Sequence, residues 1–500
     1  MTDKSIIDLL VIGGGINGTG IARDAVGRGL SVVLCEKDDL AQGTSSRSGK
    51  LIHGGLRYLE YYEFRLVREA LIEREVLLAS APHIIWPLRF VIPHSPEQRP
   101  AWLVRLGLFL YDHLGGRKRL PPCRTLDLLQ DAEGKALKPE FRKAFEYSDC
   151  WVDDSRLVLL NALDAHERGA QIFTRTAAIS ARRHQGNWDV VLRSSDGTIR
   201  NVRAKAIANA AGPWVEQVIN GVAGSNSSRK VRLVKGSHLI VKKFWQGPHS
   251  FVLQNHDKRV IFVNPYQDGL CLIGTTDRPY EGAPEKVHIE DDEVDYMLAA
   301  VNRYTRTQLT RTDVLHSYSG VRPLYDDNAD NPSAVTRDYV FELDGDPPLL
   351  SVFGGKITTY RKLAEHALQK LKPYFPAMSG DWTAQSILPG GDIPHGIIAT
   401  YIERLQQKFV WMPKPLIEHY VKLYGTRTEK LLGNASAVKD LGQHFGGTFF
   451  EAEILYLREN EWAQSAEDIL ERRTKHGLQI SQQQRQELVR YLNSALQDNP

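Results

Sequence analysis

Three glycines and one glutamate carry the most specific chemistry in the sequence. Gly13, Gly15 and Gly18 stand at the spacing G-x-G-x-x-G, and Glu36 follows after room for one helix and one strand. In that pattern the first glycine permits a tight turn, and the second leaves the backbone bare for a pyrophosphate. The third lets a helix pack closely on a strand. The free N–H groups and positive dipole end of that helix then face the anion. Glu36 would accept the hydrogen bonds of an adenosine ribose. This is dinucleotide-binding chemistry, open at this point to NAD or FAD. The elements it needs surround it. The apolar run 6–12 reads as a buried parallel strand, 16–29 as a helix, and 31–35 as a second buried strand.

Three further stretches suit an enclosing ligand site. Residues 40–64 offer the hydroxyls of Thr44, Ser45, Ser46 and Ser48, the ammonium of Lys50, and the pair Gly54 and Gly55. Leu51, Ile52, Leu56 and Tyr58 would anchor such a loop in a core. A buried strand over 207–211 runs into small residues and Gly212, with a helix start at Pro213. The stretch 349–371 is again strand, glycine turn (Gly354, Gly355) and helix, which aims a second helix N-terminus at a ligand. Lys356 stands in that first turn, where its charge opposes the dipole, so its position argues for a function. Only one G-x-G-x-x-G lies between a strand and a helix, so one dinucleotide is expected, and enclosure by three loops favours FAD.

The rest of the chain must build domains around these loops. Five hundred residues exceed one core, and two or three domains are expected. The pattern at 63–79 is an amphipathic helix. At 99–119, Trp102, Leu103, Leu106, Phe109 and Leu110 surround Arg105 and precede Arg117, Lys118 and Arg119. That composition suits a helix lying in a membrane interface, or equally a buried helix followed by a basic loop. Residues 172–208 alternate as a β-meander, further strands follow over 231–312, and a helix is expected at 291–304. Beyond 389–391 the pattern turns helical, for example over 414–432 and 449–475. A net charge of +3 is too small to suggest nucleic acid. Cys35, Cys123, Cys150 and Cys271 have no metal or disulfide spacing and read as reduced cytosolic thiols. No metal is expected. Asp3 and Asp8 argue against a signal peptide, and no apolar run is long enough to span a membrane.

The segments TSSRSGKLIHGGLRYLE (44–60), YSDCWVDDSRLVLLNA (147–162), NAAGPW (209–214) and KGSH (235–238) lie along the chain in that order. GTTD (274–277), YSGVRPL (318–324), TRDY (336–339) and FGGKITTYRKLAEHA (353–367) continue it. Together they resemble the FAD-dependent glycerol-3-phosphate dehydrogenases of the D-amino-acid-oxidase-like flavoprotein group, the bacterial aerobic, respiratory branch above all. The resemblance runs over essentially the whole chain. It departs at Gly49 and Ala210, where Ser and Thr are expected, and neither change removes a group essential to the chemistry.

The resemblance implies an α/β fold. A Rossmann-type FAD-binding domain (1–85, 147–230 and 315–375) is interleaved with an antiparallel-sheet substrate and membrane-facing domain (86–146 and 231–314). An all-helical C-terminal domain (388–500) follows. The implied activity oxidises sn-glycerol 3-phosphate to dihydroxyacetone phosphate, passing electrons to ubiquinone. The implied setting is a homodimer on the anionic cytoplasmic face of the inner membrane, or in the cytoplasm. The implied FAD contacts are Gly13, Gly15, Asn17, Gly18, Glu36, Lys37, Thr44, Ser45, Ser46, Lys50, Leu51, Gly212, Gly354, Gly355, Lys356 and Thr358. Arg57, Arg322 and Arg337, with Tyr58, are the phosphate candidates, because guanidinium forks bind phosphate bidentately. His238, Thr275 and Lys356 join the substrate site. Arg322 and Lys356 can hold charge that develops on oxygen or flavin. For the proton, His53 is preferred to His238 because its neighbours belong to the flavin loop. The competing readings are an oxygen-using glycerophosphate oxidase, an amine or amino-acid oxidase, and a non-catalytic flavin-binding scaffold.

Overall fold

The computed structural model describes residues 6–497, apart from 117, 228, 268 and 327–337. The strand Ile7–Ile12 lies between Val32–Cys35 and Ile199–Asn209 and runs parallel to both. Its apolar side chains are buried, as a strand covered on both faces requires. Leu349–Phe353 and Gln171–Phe173 extend the parallel set, and Val340–Asp344 closes one edge antiparallel. Register brings Ile12 level with Cys35 and Asn209. Gly13, Glu36 and Ala210 therefore leave the sheet together at its carboxyl edge, where α/β sheets bind ligands. The helix Ile16–Gly27 shares one core with helices Asp154–Glu167 and Tyr360–Leu371. It stops short of the expected 29 because Gly29 takes a φ of +91°, which ends a helix. The meander is Thr176–His184, Asn187–Ser194 and Ile199–Asn209, while Gln171–Phe173 joins the parallel sheet instead.

A second sheet runs Arg278–Pro279, Val231–Lys242, Leu270–Gly274, Val260–Tyr266, Ser250–Gln254, Ile85–His94, Lys143–Val152, Leu51–Ile52. All its pairings are antiparallel except Ser250–Gln254 with Ile85–His94. Its strands do not divide at the expected boundaries. Lys143–Val152 pairs with Ile85–His94, and Val314–Tyr325 pairs with Val231–Lys242, although 147 and 315 were expected to open segments of the dinucleotide domain. A strand's partner is a long-range choice that its own periodicity does not encode.

The expected helices at 63–79 and 291–304 are Phe64–Ser80 and Asp291–Tyr304. In the 99–119 segment the helix is Ala101–Leu114, which buries only Leu108 and Tyr111. Trp102 is 68% exposed, Phe109 52% and Leu106 47%. Among the described residues, no helix is long and apolar enough to cross a membrane.

The C-terminal part is built mainly from Ile398–Lys408, Lys414–Tyr424, Thr428–Leu432, Glu451–Glu461 and Gln482–Gln497. One departure from an all-helical domain is the small hairpin His444–Gly446 with Phe449–Phe450, turned by Gly446 and Gly447 at φ +114° and +54°. Buried ions tie this part to the loop after Val32–Cys35 and to the start of helix Asp154–Glu167. Asp39 is fully buried and accepts from Arg472 Nε at 2.6 Å and Arg473 Nη2 at 2.9 Å. Arg156 Nη2 donates to Glu461 at 2.9 Å, and Lys475 lies 3.3 Å from Asp153.

Candidate active site

At the carboxyl edge of the first sheet the glycines leave room that no other residue would. Gly13 has φ +112°, and a Cβ there would sit 2.5 Å from the carbonyl oxygen of Ala210. A Cβ on Gly18 would lie 1.9 Å from the oxygen of Gly13, so this glycine seats the helix against the turn. Ser45 Oγ accepts the N–H of Ile16 at 3.0 Å, which ties the 44–51 loop to the start of the helix. Glu36 accepts the N–H groups of Gly14 (2.6 Å) and Asp38 (2.8 Å), and burial pushes its carboxyl pKa up. Each carboxylate oxygen keeps a lone pair for a ligand hydroxyl.

These groups open into a cavity of about 600 Å³ that runs from the first sheet to the second. Gly13, Gly15, Asn17, Glu36, Lys37, Thr44, Ser45, Leu51, Gly212, Gly354, Gly355, Lys356 and Thr358 all line it. Gly354 and Gly355 turn at φ +80° and +104°, and a side chain on Gly355 would strike Asn17. Asn17 donates to the oxygen of Gly354 at 3.2 Å, while its own Oδ1 is buried with no hydrogen-bond partner. An unmet acceptor beside a glycine cradle and a helix N-terminus fits a dinucleotide. Three expected contacts do not line it: Gly18, which seats the helix, and Ser46 and Lys50. Lys50 Nζ sits 2.8 Å from Asp154 Oδ1 and 3.3 Å from the oxygen of Ser46. Burial works against ionised Asp154, yet the cations of Lys50 and Lys475 hold its pKa below the ordinary value. That buried carboxylate, not the anionic ligand, claims the Lys50 ammonium. Lys50 and Ser46 face a separate, smaller cavity.

The same cavity is also lined by His53, Tyr58, His238, Thr275, Arg322 and Lys356. Arg322 donates through Nη1 to Asp277 and through Nη2 to Thr275 Oγ1 at 3.1 Å, so its plane is fixed. Lys356 Nζ lies 4.2 Å from the ring centre of Tyr58, a cation–π contact. The His53 N–H donates to Thr358 Oγ1 at 3.3 Å. His238 is buried and stacks on Tyr318 at 4.7 Å, with neither ring nitrogen hydrogen-bonded. Burial, then the cations of Arg322 and Lys50, hold its pKa well below the usual value, so the ring is neutral at pH 7. Each unmet buried nitrogen costs about 1–3 kcal/mol, which a ligand hydroxyl in the cavity would offset.

Arg57 is half-buried on the turn Leu56–Tyr61 and does not line the cavity. Arg337 lies outside the described residues. The sequence reading missed Phe262, Asn264 and Asp277. The first two had only the alternation of the strand Val260–Tyr266 to mark them, whereas Asp277 stood in the GTTD segment beside Thr275.

The chain is similar to known proteins over nearly its whole length. Residues 8–361 match the model of the FAD dependent oxidoreductases, and 382–495 match the C-terminal domain of alpha-glycerophosphate oxidase. The chain is 62% identical to a D-erythritol 1-phosphate dehydrogenase of Brucella abortus, over 99% of each chain. It is 51% identical to the aerobic glycerol-3-phosphate dehydrogenase of Escherichia coli, over 97% of each. A glycerol-3-phosphate dehydrogenase from Bacillus halodurans, solved in complex with FAD, superimposes with a TM-score of 0.76 at 26% identity. That match covers 98% of this chain and 94% of the other.

Proposed function

The chain belongs to the FAD-dependent oxidoreductase family, and from that premise we propose that it oxidises the C2 hydroxyl of sn-glycerol 3-phosphate to dihydroxyacetone phosphate. Its cofactor is FAD, which when bound supplies a two-electron acceptor for the C2 hydride. One observation carries the substrate reading. Two cations, Arg322 and Lys356, and two imidazoles, His53 and His238, line the same cavity as the glycine cradle. In this reading Arg322 binds phosphate oxygen, with Thr275 and Tyr58 as hydroxyl partners. Lys356 offsets negative charge as it develops. His53 takes the C2 hydroxyl proton, and neutral His238 fixes a second hydroxyl. Anaerobic addition of glycerol 3-phosphate to the yellow protein is expected to bleach the visible flavin band, whereas glycerol leaves it unchanged. A band untouched by every phosphorylated polyol would overturn the reaction.

A second reading, D-erythritol 1-phosphate, is favoured by Gly49. A Cβ on Gly49 would meet only Nε2 of His238, at 3.6 Å. A serine there would bring a hydroxyl to that nitrogen, while glycine leaves it to a longer substrate with one more hydroxyl. The 62% identical relative bears the name of that activity. Gly49→Ser is therefore expected to lower kcat/KM for erythritol 1-phosphate by about 10-fold or more relative to glycerol 3-phosphate. An unchanged ratio would return the assignment to the three-carbon substrate.

Electron delivery to ubiquinone at a membrane surface completes the proposal, supported by the outward Trp102, Leu106 and Phe109 of helix Ala101–Leu114. Reduced protein should be reoxidised by a soluble quinone analogue with little peroxide in air. Abundant peroxide without quinone would mark an oxidase instead. Replacing both aromatics, Trp102→Ser with Phe109→Ser, is expected to weaken sedimentation with anionic liposomes at least about 10-fold, because a buried aromatic contributes about 1.5–3 kcal/mol. Equal sedimentation of wild type and variant would move the contact to another surface.

A further inference from the structure

We propose that the C-terminal domain binds one divalent transition-metal ion, zinc by its donor set, through His419, Glu453 and His476. The three come from separate elements: helix Lys414–Tyr424, helix Glu451–Glu461 and the turn His476–Leu478. One ligand atom from each lies within 4.8 Å of the others. Bond lengths of about 2.0–2.2 Å to nitrogen and oxygen require them to close by roughly an ångström, within reach of side-chain rotation.

Several observations point to a ligand there. Glu453 is fully buried, and among the described residues no lysine or arginine pairs with it. Its oxygens lie 2.9 and 3.2 Å from His419 Nε2, and Oε1 also accepts the Tyr424 hydroxyl at 2.6 Å. His476 is 1% exposed. Its Nε2 lies 3.1 Å from Thr448 Oγ1, and its Nδ1 is buried without a partner. With the Nε2 proton donated to Thr448, Nδ1 keeps a lone pair free for a ligand. Tyr424 and Thr448 thus act as the outer partners that orient metal-bound carboxylates and imidazoles. On binding, the hydrogen bond from His419 Nε2 to Glu453 is exchanged for two bonds to the ion, and the imidazole proton moves to Nδ1. The His419 side chain is 15% exposed, which leaves a fourth position for water.

Two imidazoles, one carboxylate and a water suit zinc or cobalt better than magnesium or calcium. The ion would brace the segment that carries Arg472, Arg473 and Lys475 to Asp39 and Asp153. The test uses the full-length flavoprotein, stripped with a chelator and titrated with Co²⁺. One cobalt per chain is expected, with ligand-field bands to the red of the flavin, and Zn²⁺ should displace it. His476→Gln and His419→Gln should each lose at least about 10-fold in affinity while keeping FAD. Zinc should also raise the melting temperature of the unaltered chain, a readout independent of how the variants fold. No cobalt bands, no zinc-raised melting, or full affinity in both variants would overturn the site and leave only a hydrogen-bonded His–Glu–Tyr cluster.

Discussion

Arg322→Gln is expected to lower kcat/KM for the phosphorylated polyol by roughly 10²–10³-fold, as the loss of charged hydrogen bonds of about 1.5–3 kcal/mol each dictates. Asp277 and Thr275 hold the guanidinium in one plane, so its remaining donors are pre-set toward the cavity. The variant also takes the Arg322 cation away from the Asp277 carboxylate, and the negative charge no longer offset beside the incoming phosphate adds to the loss. Asp277→Asn in the same chain should therefore restore part of the rate, which a merely structural role for Arg322 would not give. Arg322→Lys keeps the charge without the fork and should fall between. Rates of anaerobic flavin bleaching, with FAD content as the control, measure all four proteins. A wild-type rate in Arg322→Gln would end the phosphate assignment.

Asp39→Asn should cost about 3–5 kcal/mol of stability, because it takes the carboxylate from the buried Arg473 guanidinium, while Arg472 keeps Glu467 and Asp468. Arg473 is fully buried and Arg472 is 4% exposed, and both point at Asp39. Denaturant unfolding followed by flavin fluorescence would read the loss as a lower midpoint. Asp39→Leu with Arg473→Met should lose less, since a well-packed apolar pair often matches a buried ionic one and Arg472 keeps Glu467 and Asp468. A single variant as stable as wild type would mean that water reaches the pair.

The parts of this fold that were legible in the sequence are those whose causes are local. The turn at Gly13, the helix after it and the stop near Gly29 follow from what glycine permits within a few residues. The composition of 44–58 announced an anionic neighbour, yet it could not say which way each side chain turns. Lys50 looked like a ligand contact, but its partner Asp154 is distant in sequence and close only after folding. The same applies to Arg57, which stands in the motif at 44–60 but does not line the cavity. Lys143–Val152 and Val314–Tyr325 overlap segments that stood out only as motifs, and long-range pairing decides their sheet. The space Gly49 leaves beside His238 is likewise a property of two strands and a loop brought together.

The C-terminal region matches a family model of its own, which invites the view of a module on a linker. The charges sealed between it and the rest of the chain contradict that view. Arg156 and Glu461 are each 1% exposed in side chain, and Arg473 and Asp39 not at all. Such pairs tolerate no piecemeal exchange: a graft of this region from a relative functions only if both halves of every pair travel together. Recombination and gene fusion must then respect these partners as one heritable unit. The boundary that matters to evolution in this chain runs through matched charges, not through the linker.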